Sequence, residues 1–267
     1  MSRRESAVSG SFYPEECAKV EAYIKDFNDT INTEALEKIT MNTRAIISPH
    51  AGYMYSGFTA NAAFKIASRR QDIKRIVVIG PSHRVSFLGA SVAQFDSYES
   101  PCGDLQIDTV FSKKLLDSYE DLHFMSNMHH EHSTEVQMPF IRHYFEGIHI
   151  VEIVYGQIDE KALAVVIEDL LEDSANFIVI STDLSHFYTQ EEAKKLDTIC
   201  INAIDTMNIT LFDKGCEACG ILGVKAMILA AKSKALETQI LDYRTSADAS
   251  GDKSRVVGYV SALIGVL

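Results

Sequence analysis

The stretch RIVVIGPSHR, Arg75 to Arg84, carries the reading of the fold. Ile76 to Ile79 is apolar and β-branched at every position, and it closes on Gly80-Pro81-Ser82 and then His83. A strand with one wet face alternates polar and apolar residues. A run without alternation indicates a strand covered on both faces. FIVISTDLSHF repeats the plan, with Asp183 and His186 beyond Phe177 to Ile180, and RAIISPHAGY puts His50 beyond Ile46-Ile47.

Outward from these runs, strand signals fall at 44–48, 75–80, 89–95, 148–154, 176–181, 237–244 and 255–264. Helical signals fall at 15–29, 57–69, 109–119, 134–145, 160–172, 190–207 and 219–232. Helices alternating with doubly buried strands predict an α/β three-layer sandwich, with a mixed, largely parallel central sheet flanked by helices. Only a loop separates the last two strands, so that part of the sheet is expected to be antiparallel. No repeat, low-complexity tract or Pro/Gly/Ser linker interrupts the chain, and residues 1–267 read as one domain.

The composition is that of an ordinary globular protein, with 23% charged residues, and a chain this long needs no covalent staples. The formal net charge of -12 argues against a nucleic-acid or anionic-membrane partner, since both call for a basic face. No window reaches the length of a membrane-spanning helix, and MSRRESAVSGSFYP lacks an apolar signal core, so a cytoplasmic location is the default expectation. The five cysteines, at 17, 102, 200, 216 and 219, do not read as a disulfide framework. Cys216 and Cys219 form a single C-x-x-C, too few thiolates for a structural zinc site, and read as thiols near a helix start, with redox or metal use as the alternatives.

Ligands of open α/β sheets collect beyond the carboxyl ends of the strands. His50, His83, Asp183 and His186 all lie there. Ser48-Pro49-His50 and Pro81-Ser82-His83 share a device: proline ends ladder pairing and fixes φ, so the following histidine leaves the sheet on a stiff support suited to metal ligation. Asp183-Leu184-Ser185-His186 reads as an acid and a base on one helical turn, suited to proton transfer near neutral pH. In MHHEHSTEVQMPF, Thr134 and Gln137 have capping-box spacing, which starts a helix near Ser133 or Thr134. His132 then falls just outside that helix, where it could face the cleft, while His129 and His130 read as polar loop residues. Nucleotide-binding, zincin and α/β-hydrolase motifs are absent.

VSGSFYP, SPHAGYMYSG, GPSHR, EHSTEVQMPF, STDLSH, the CG at 219–220 and VVGY, in that order, resemble the Memo family, and among its members the prokaryotic Memo-like protein of the AmmeMemoRadiSam grouping. That family is similar in fold to the class III extradiol dioxygenases, which hold non-haem Fe(II) with two histidines and a carboxylate. The resemblance implies that His50 and His83 are metal ligands and that His132, Asp183 and His186 line the same pocket as catalytic residues. Animal members carry a cysteine in the loop before the last strand. That loop, DYRTSADASGDKSRVVGY, has none, and Asp248 beside the matching position is the expected third ligand, with Asp252 or water as rivals. A carboxylate in place of a thiolate favours Fe(II), with Zn(II) or Mn(II) next, over copper.

Two functions are consistent with these residues. One is a dioxygenase-like oxidoreductase in which His186, oriented by Asp183, moves a proton on a phenol-like substrate and His132 hydrogen-bonds the substrate. The other is a non-catalytic binding protein that takes a small-molecule or peptide ligand, acidic or phosphorylated, with Arg84, Arg44 or Arg244 facing the anion. Nothing in the sequence makes those arginines converge or speaks to oligomeric state.

Overall fold

The computed structural model describes residues 2–267. In chain order the elements begin with β1 (Arg3–Arg4), α1 (Cys17–Thr30), α2 (Thr33–Glu37), β2 (Asn42–Ser48), α3 (Tyr53–Ala67), β3 (Arg75–Pro81), β4 (Ala90–Val92), β5 (Ser97–Tyr98) and β6 (Leu105–Ile107). There follow α4 (Thr109–Ser118), β7 (Leu122–His123), a 3-10 turn at Ser126–His129, α5 (His132–Glu135), α6 (Met138–Tyr144), β8 (His149–Tyr155), α7 (Glu160–Glu172) and β9 (Asn176–Ser181). The chain ends with β10 (His186–Tyr188), α8 (Gln190–Asp205), α9 (Ile209–Phe212), α10 (Ile221–Ser233), β11 (Glu237–Thr245), α11 (Ala247–Ser250) and β12 (Val256–Val266).

The strands make one mixed twelve-stranded sheet, ordered β1-β5-β6-β8-β3-β9-β2-β12-β10, with β11 on β12, β4 on β8 and β7 on β4. β8, β3, β9 and β2 run parallel, and β2–β12 and β12–β11 are antiparallel, as expected for the last two strands. Alternate residues of the continuous apolar runs feed two separate cores. Ile47, Ile79 and Ile180 pack into the layer of α7, α8 and α10, while Ile46, Val78 and Val179 pack into the layer of α1, α3 and α6. Both layers therefore depend on the same strands. Truncating Ile46 or Ile180 to alanine opens a cavity in one of them, at a cost of about 2–5 kcal/mol.

Register explains why the histidines meet. β9 lies between β2 and β3, with Ile47 opposite Ile180, Ser48 opposite Ser181, and Ile79 opposite Ile180. The carboxyl ends of three adjacent strands are thus level, and whatever follows each one emerges side by side.

Three local expectations are corrected. The helix expected at 134–145 is two short helices, because Pro139 in the first turn of α6 has no N–H to continue the ladder from α5. Thr134 and Gln137 do not form a capping box. Glu131 caps α5 and places His132 inside its first turn, while Thr134 donates to Glu152 and Gln137 turns to Ser48 and Ser181. Asp183 to His186 is not a helical turn: residues 182–185 are irregular and His186 opens β10, where Phe187 takes a positive φ of 68°.

The cysteines are corrected as well. Cys17 pairs with Cys102 and Cys200 with Cys216, and Cys219 is free. Sequence separations of 85 and 16 leave no spacing signal, and only the fold brings the partners together. Among the described residues no helix is long and apolar enough to cross a membrane.

Candidate metal centre

Among the described residues, one ring nitrogen each from His50, His83 and His132 lies within 4.8 Å of the other two. The ring centroids are 5.2 Å apart for His50–His83, 5.4 Å for His50–His132 and 4.5 Å for His83–His132. His50 is buried, His132 half-buried and His83 exposed, so the group is reached from one side.

Proton bookkeeping identifies the nitrogen each ring presents. Ser181 Oγ–H donates to the carbonyl of Ser133, and Gln137 Nε2 donates to Ser181 Oγ. Ser181 then has one lone pair left, for the Nδ1–H of His50 at 2.9 Å. Glu131 does the same for the other two rings, with one carboxylate oxygen 3.1 Å from His83 Nδ1 and 2.8 Å from His132 Nδ1. All three Nδ1 atoms are engaged by acceptors, and three Nε2 lone pairs remain for an ion. Metal-bound imidazoles have this outer arrangement.

Glu131 also accepts the backbone N–H groups of His83 at 2.6 Å, His132 at 2.8 Å and Ser133 at 3.1 Å. Burial pushes its carboxyl up, but His132 and His83 outweigh that and hold it well below the usual carboxylate range. His50 is pushed well below 6.5 by burial and by the neighbouring imidazoles, which keeps it in the neutral, metal-binding form.

The helix carrying His132 is pinned along its length. Ser133 Oγ donates to the carbonyl of Pro81 at 2.7 Å, and Thr134 to Glu152 at 2.5 Å. Glu135 is fully buried against Arg4 and accepts from the N–H groups of Ala7 and Val8 and the hydroxyl of Tyr13. The glycine of GPSH has a role here: a Cβ on Gly80 would lie 2.6 Å from Ser133 Oγ, so β3 and α5 can touch only without one.

Asp183 is buried in the rim between β2 and β3, and its carboxylate accepts the N–H of His50 at 2.8 Å. Burial raises its pKa, and His186 is close enough for its charge to act on it, although His186 lies outside the imidazole trio. Asp248, expected as a ligand, is not among the residues that converge. Asp248 is exposed in the first turn of α11, and its carboxylate accepts the N–H of Thr245 at 2.7 Å and the hydroxyl at 3.1 Å. Asp252 is likewise turned to Ser254. A short polar turn satisfies both carboxylates locally, and the imidazole that joins His50 and His83 is that of His132.

Sequence reasoning missed Cys219. Its sulfur lies 3.3 Å from His50 Nε2 and accepts the N–H of Asp183 at 3.3 Å. Burial, with Asp183 nearby, pushes the thiol up to about 12. The signal was the CG pair: a Cβ on Gly220 would lie 2.6 Å from Thr182 Cβ, so only glycine lets this turn approach β9. His83, Arg84, Tyr155 and Cys219 line a cavity of about 530 Å³ beside the trio. Of the three arginines considered, Arg84 alone is here. Arg44 binds the carbonyls of Leu171 and Asp173, and Arg244 lies over Phe58 beside Asp242. His129 is a core residue held by Glu152 at 2.7 Å and Ser91 at 2.8 Å, and His130 is exposed.

The chain matches the Memo-like protein family over residues 4–263. A MEMO1 family protein of Archaeoglobus fulgidus is 31% identical, over 98% of this chain and all of the relative. Those of Methanosarcina mazei and Aquifex aeolicus are 31% and 34% identical, over 99% and 97% of this chain and 100% and 98% of the relatives. With the match spanning nearly every element that builds the trio, the chain belongs to the Memo-like protein family.

Proposed function

We propose that this protein holds a divalent metal ion, Fe(II) first, on His50, His83 and His132, and acts as a dioxygenase-like oxidoreductase on a small molecule. The observation that carries the reading is the meeting of three imidazoles whose Nδ1 atoms each face an acceptor, which leaves the Nε2 lone pairs for an ion. Three imidazoles fit Fe(II), Zn(II) or Mn(II), and they leave coordination positions open toward the cavity. The ion would supply Lewis acidity and, as iron, a one-electron couple.

The protein's part is positional. Glu131 and Ser181 orient the rings. Asp183 fixes the backbone that carries His50. His186 is the group for proton transfer to or from a substrate hydroxyl, since it stands at the rim without a ring hydrogen bond among the described residues. Arg84, in the cavity wall, makes no ion pair among the described residues, which favours a ligand that carries an anionic group. That feature also supports a second reading, a binding protein for an acidic small molecule or peptide.

Oxygen uptake decides between the two. Protein purified anaerobically and loaded with Fe(II) is mixed with simple catechols, and His83→Ala serves as the control. Uptake that depends on His83 is expected for the oxidoreductase. Full iron content without uptake would favour the binding role.

A further inference from the structure

The Cys17–Cys102 pair is separate from the imidazole trio, and it has another donor beside it. Cys17 opens α1. Glu21, four residues on, is on the same face of that helix. Cys102 lies in the turn after β5, and Arg142 Nε holds that turn by donating to the Cys102 carbonyl at 3.1 Å. A ligand atom of Cys17, of Glu21 and of Cys102 lie within 4.8 Å of one another, with Glu21 Oε1 3.8 Å from Cys102 Sγ. The other oxygen of Glu21 is 2.7 Å from His143 Nδ1, at the end of α6. Two segments thus bring two sulfurs and a carboxylate together, and an imidazole from a third, α6, orients the carboxylate from behind.

We infer that Cys17, Cys102 and Glu21 form a second metal site, for a soft divalent ion of the zinc class, that exists only when the disulfide is reduced. The geometry requires little movement. Two thiolates on one tetrahedral zinc, each at about 2.3 Å, stand about 3.8 Å apart, so the sulfurs need only separate from bonding distance. Glu21 can then ligate through Oε1 while His143 keeps Oε2, the usual outer support of a metal-bound carboxylate. Water completes the fourth position.

The chemistry balances. A dithiol reductant gives two electrons and two protons to the Cys17–Cys102 bond and becomes a disulfide itself. The ion then displaces the two thiol protons. Disulfide and metal are alternative clamps between α1 and the turn after β5, and the redox state selects which one is present. Two thiolates set this site apart from the imidazole trio, because sulfur favours Zn(II), Cd(II) or Cu(I) over Fe(II).

Cadmium titration of the full chain, oxidised and after anaerobic reduction with dithiothreitol that is then removed, tests this. The reduced protein is expected to bind one more Cd(II) per chain than the oxidised protein, with thiolate-to-cadmium absorption in the ultraviolet. His50→Ala/His83→Ala should lose the trio's ion and keep this one. Cys17→Ser should abolish the added ion and its absorption, and Glu21→Gln should weaken its affinity about tenfold or more. Glu21 is 43% exposed and its replacement keeps both sulfurs, so that variant is informative even if the cysteine variant misfolds. No added ion on reduction overturns the inference. So does an added ion that persists in Cys17→Ser, since its sulfur would then come from Cys200, Cys216 or Cys219.

Discussion

Cys219 points its thiol at the Nε2 of His50, 3.3 Å away. Since His50 Nδ1–H is given to Ser181, Nε2 carries the lone pair and the sulfur is the donor. The thiol hydrogen therefore faces the lone pair that an ion would use. With its pKa pushed up to about 12 from an ordinary 9.0, Cys219 has about a thousandfold less thiolate at neutral pH than a free cysteine. Metal-free protein should react with iodoacetamide at Cys219 correspondingly slowly, with a rate that climbs with pH well past 9, measured by mass spectrometry of the labelled peptide. Rapid labelling at pH 7 would contradict this burial.

Replacing any one of His50, His83 or His132 with alanine should sharply reduce bound metal in elemental analysis after loading with Fe(II) or Zn(II). Asp248→Ala should keep full metal content and cost at most about 1 kcal/mol, the value of one exposed turn contact. Loss of metal in Asp248→Ala with retention in His132→Ala would restore the carboxylate as third ligand.

Glu131→Gln retains size but offers one acceptor oxygen where two imidazole N–H groups and three backbone N–H groups need acceptors. Metal affinity is expected to fall about 10–100-fold, as for other outer partners of ligating histidines. Isothermal titration with Zn(II) against wild type measures it, and an unchanged affinity would remove Glu131 from the centre.

Gly80→Ala places a methyl group against Ser133 and Thr134. Overpacking of this kind costs about 1–3 kcal/mol. Because the displaced helix carries His132, metal affinity should fall together with melting temperature. A variant that loses stability alone would show that α5 is not a rigid support.

Stability should decline on acidification in two stages. His50 is held below its ordinary 6.5, so below that pH the unfolded chain takes up a proton that the folded chain refuses, and folding weakens. Glu131 and Glu152 are held below their ordinary 4.5; for Glu152 burial opposes this, and the His129 charge and hydrogen bond prevail. Their stabilisation is complete above that pH and is lost as pH falls through the folded values. Asp183, raised above 3.8 by burial, acts with the opposite sign and partly offsets the second stage. Melting temperatures from pH 8 to 3 test this, and His50→Ala should remove the first stage only.

The sheet and the strand-end rim were legible in the sequence because IVVI and FIVI are apolar at every position, a pattern only doubly covered strands require. His50 and His83 were legible for a related reason: each follows a proline at a strand end, so local chain geometry alone sends it outward. His132 was placed near the cleft but not assigned as a ligand, because its position depends on Glu131 capping α5 across a gap from β3, a contact 48 residues long in sequence. The place of Asp248 and Asp252 could not be read from the loop before β12, because each is satisfied by a neighbour two or three residues away, which spacing does not reveal. Cys219 and the two disulfides were beyond reach as well: their partners lie 16 to 169 residues distant, and only the packing of helices and loops in the finished fold brings them together. Local patterning sets which segments are strands and where each one ends. Which side chains then share a proton, an ion or a bond is decided by register between strands remote in sequence, with β9 between β2 and β3.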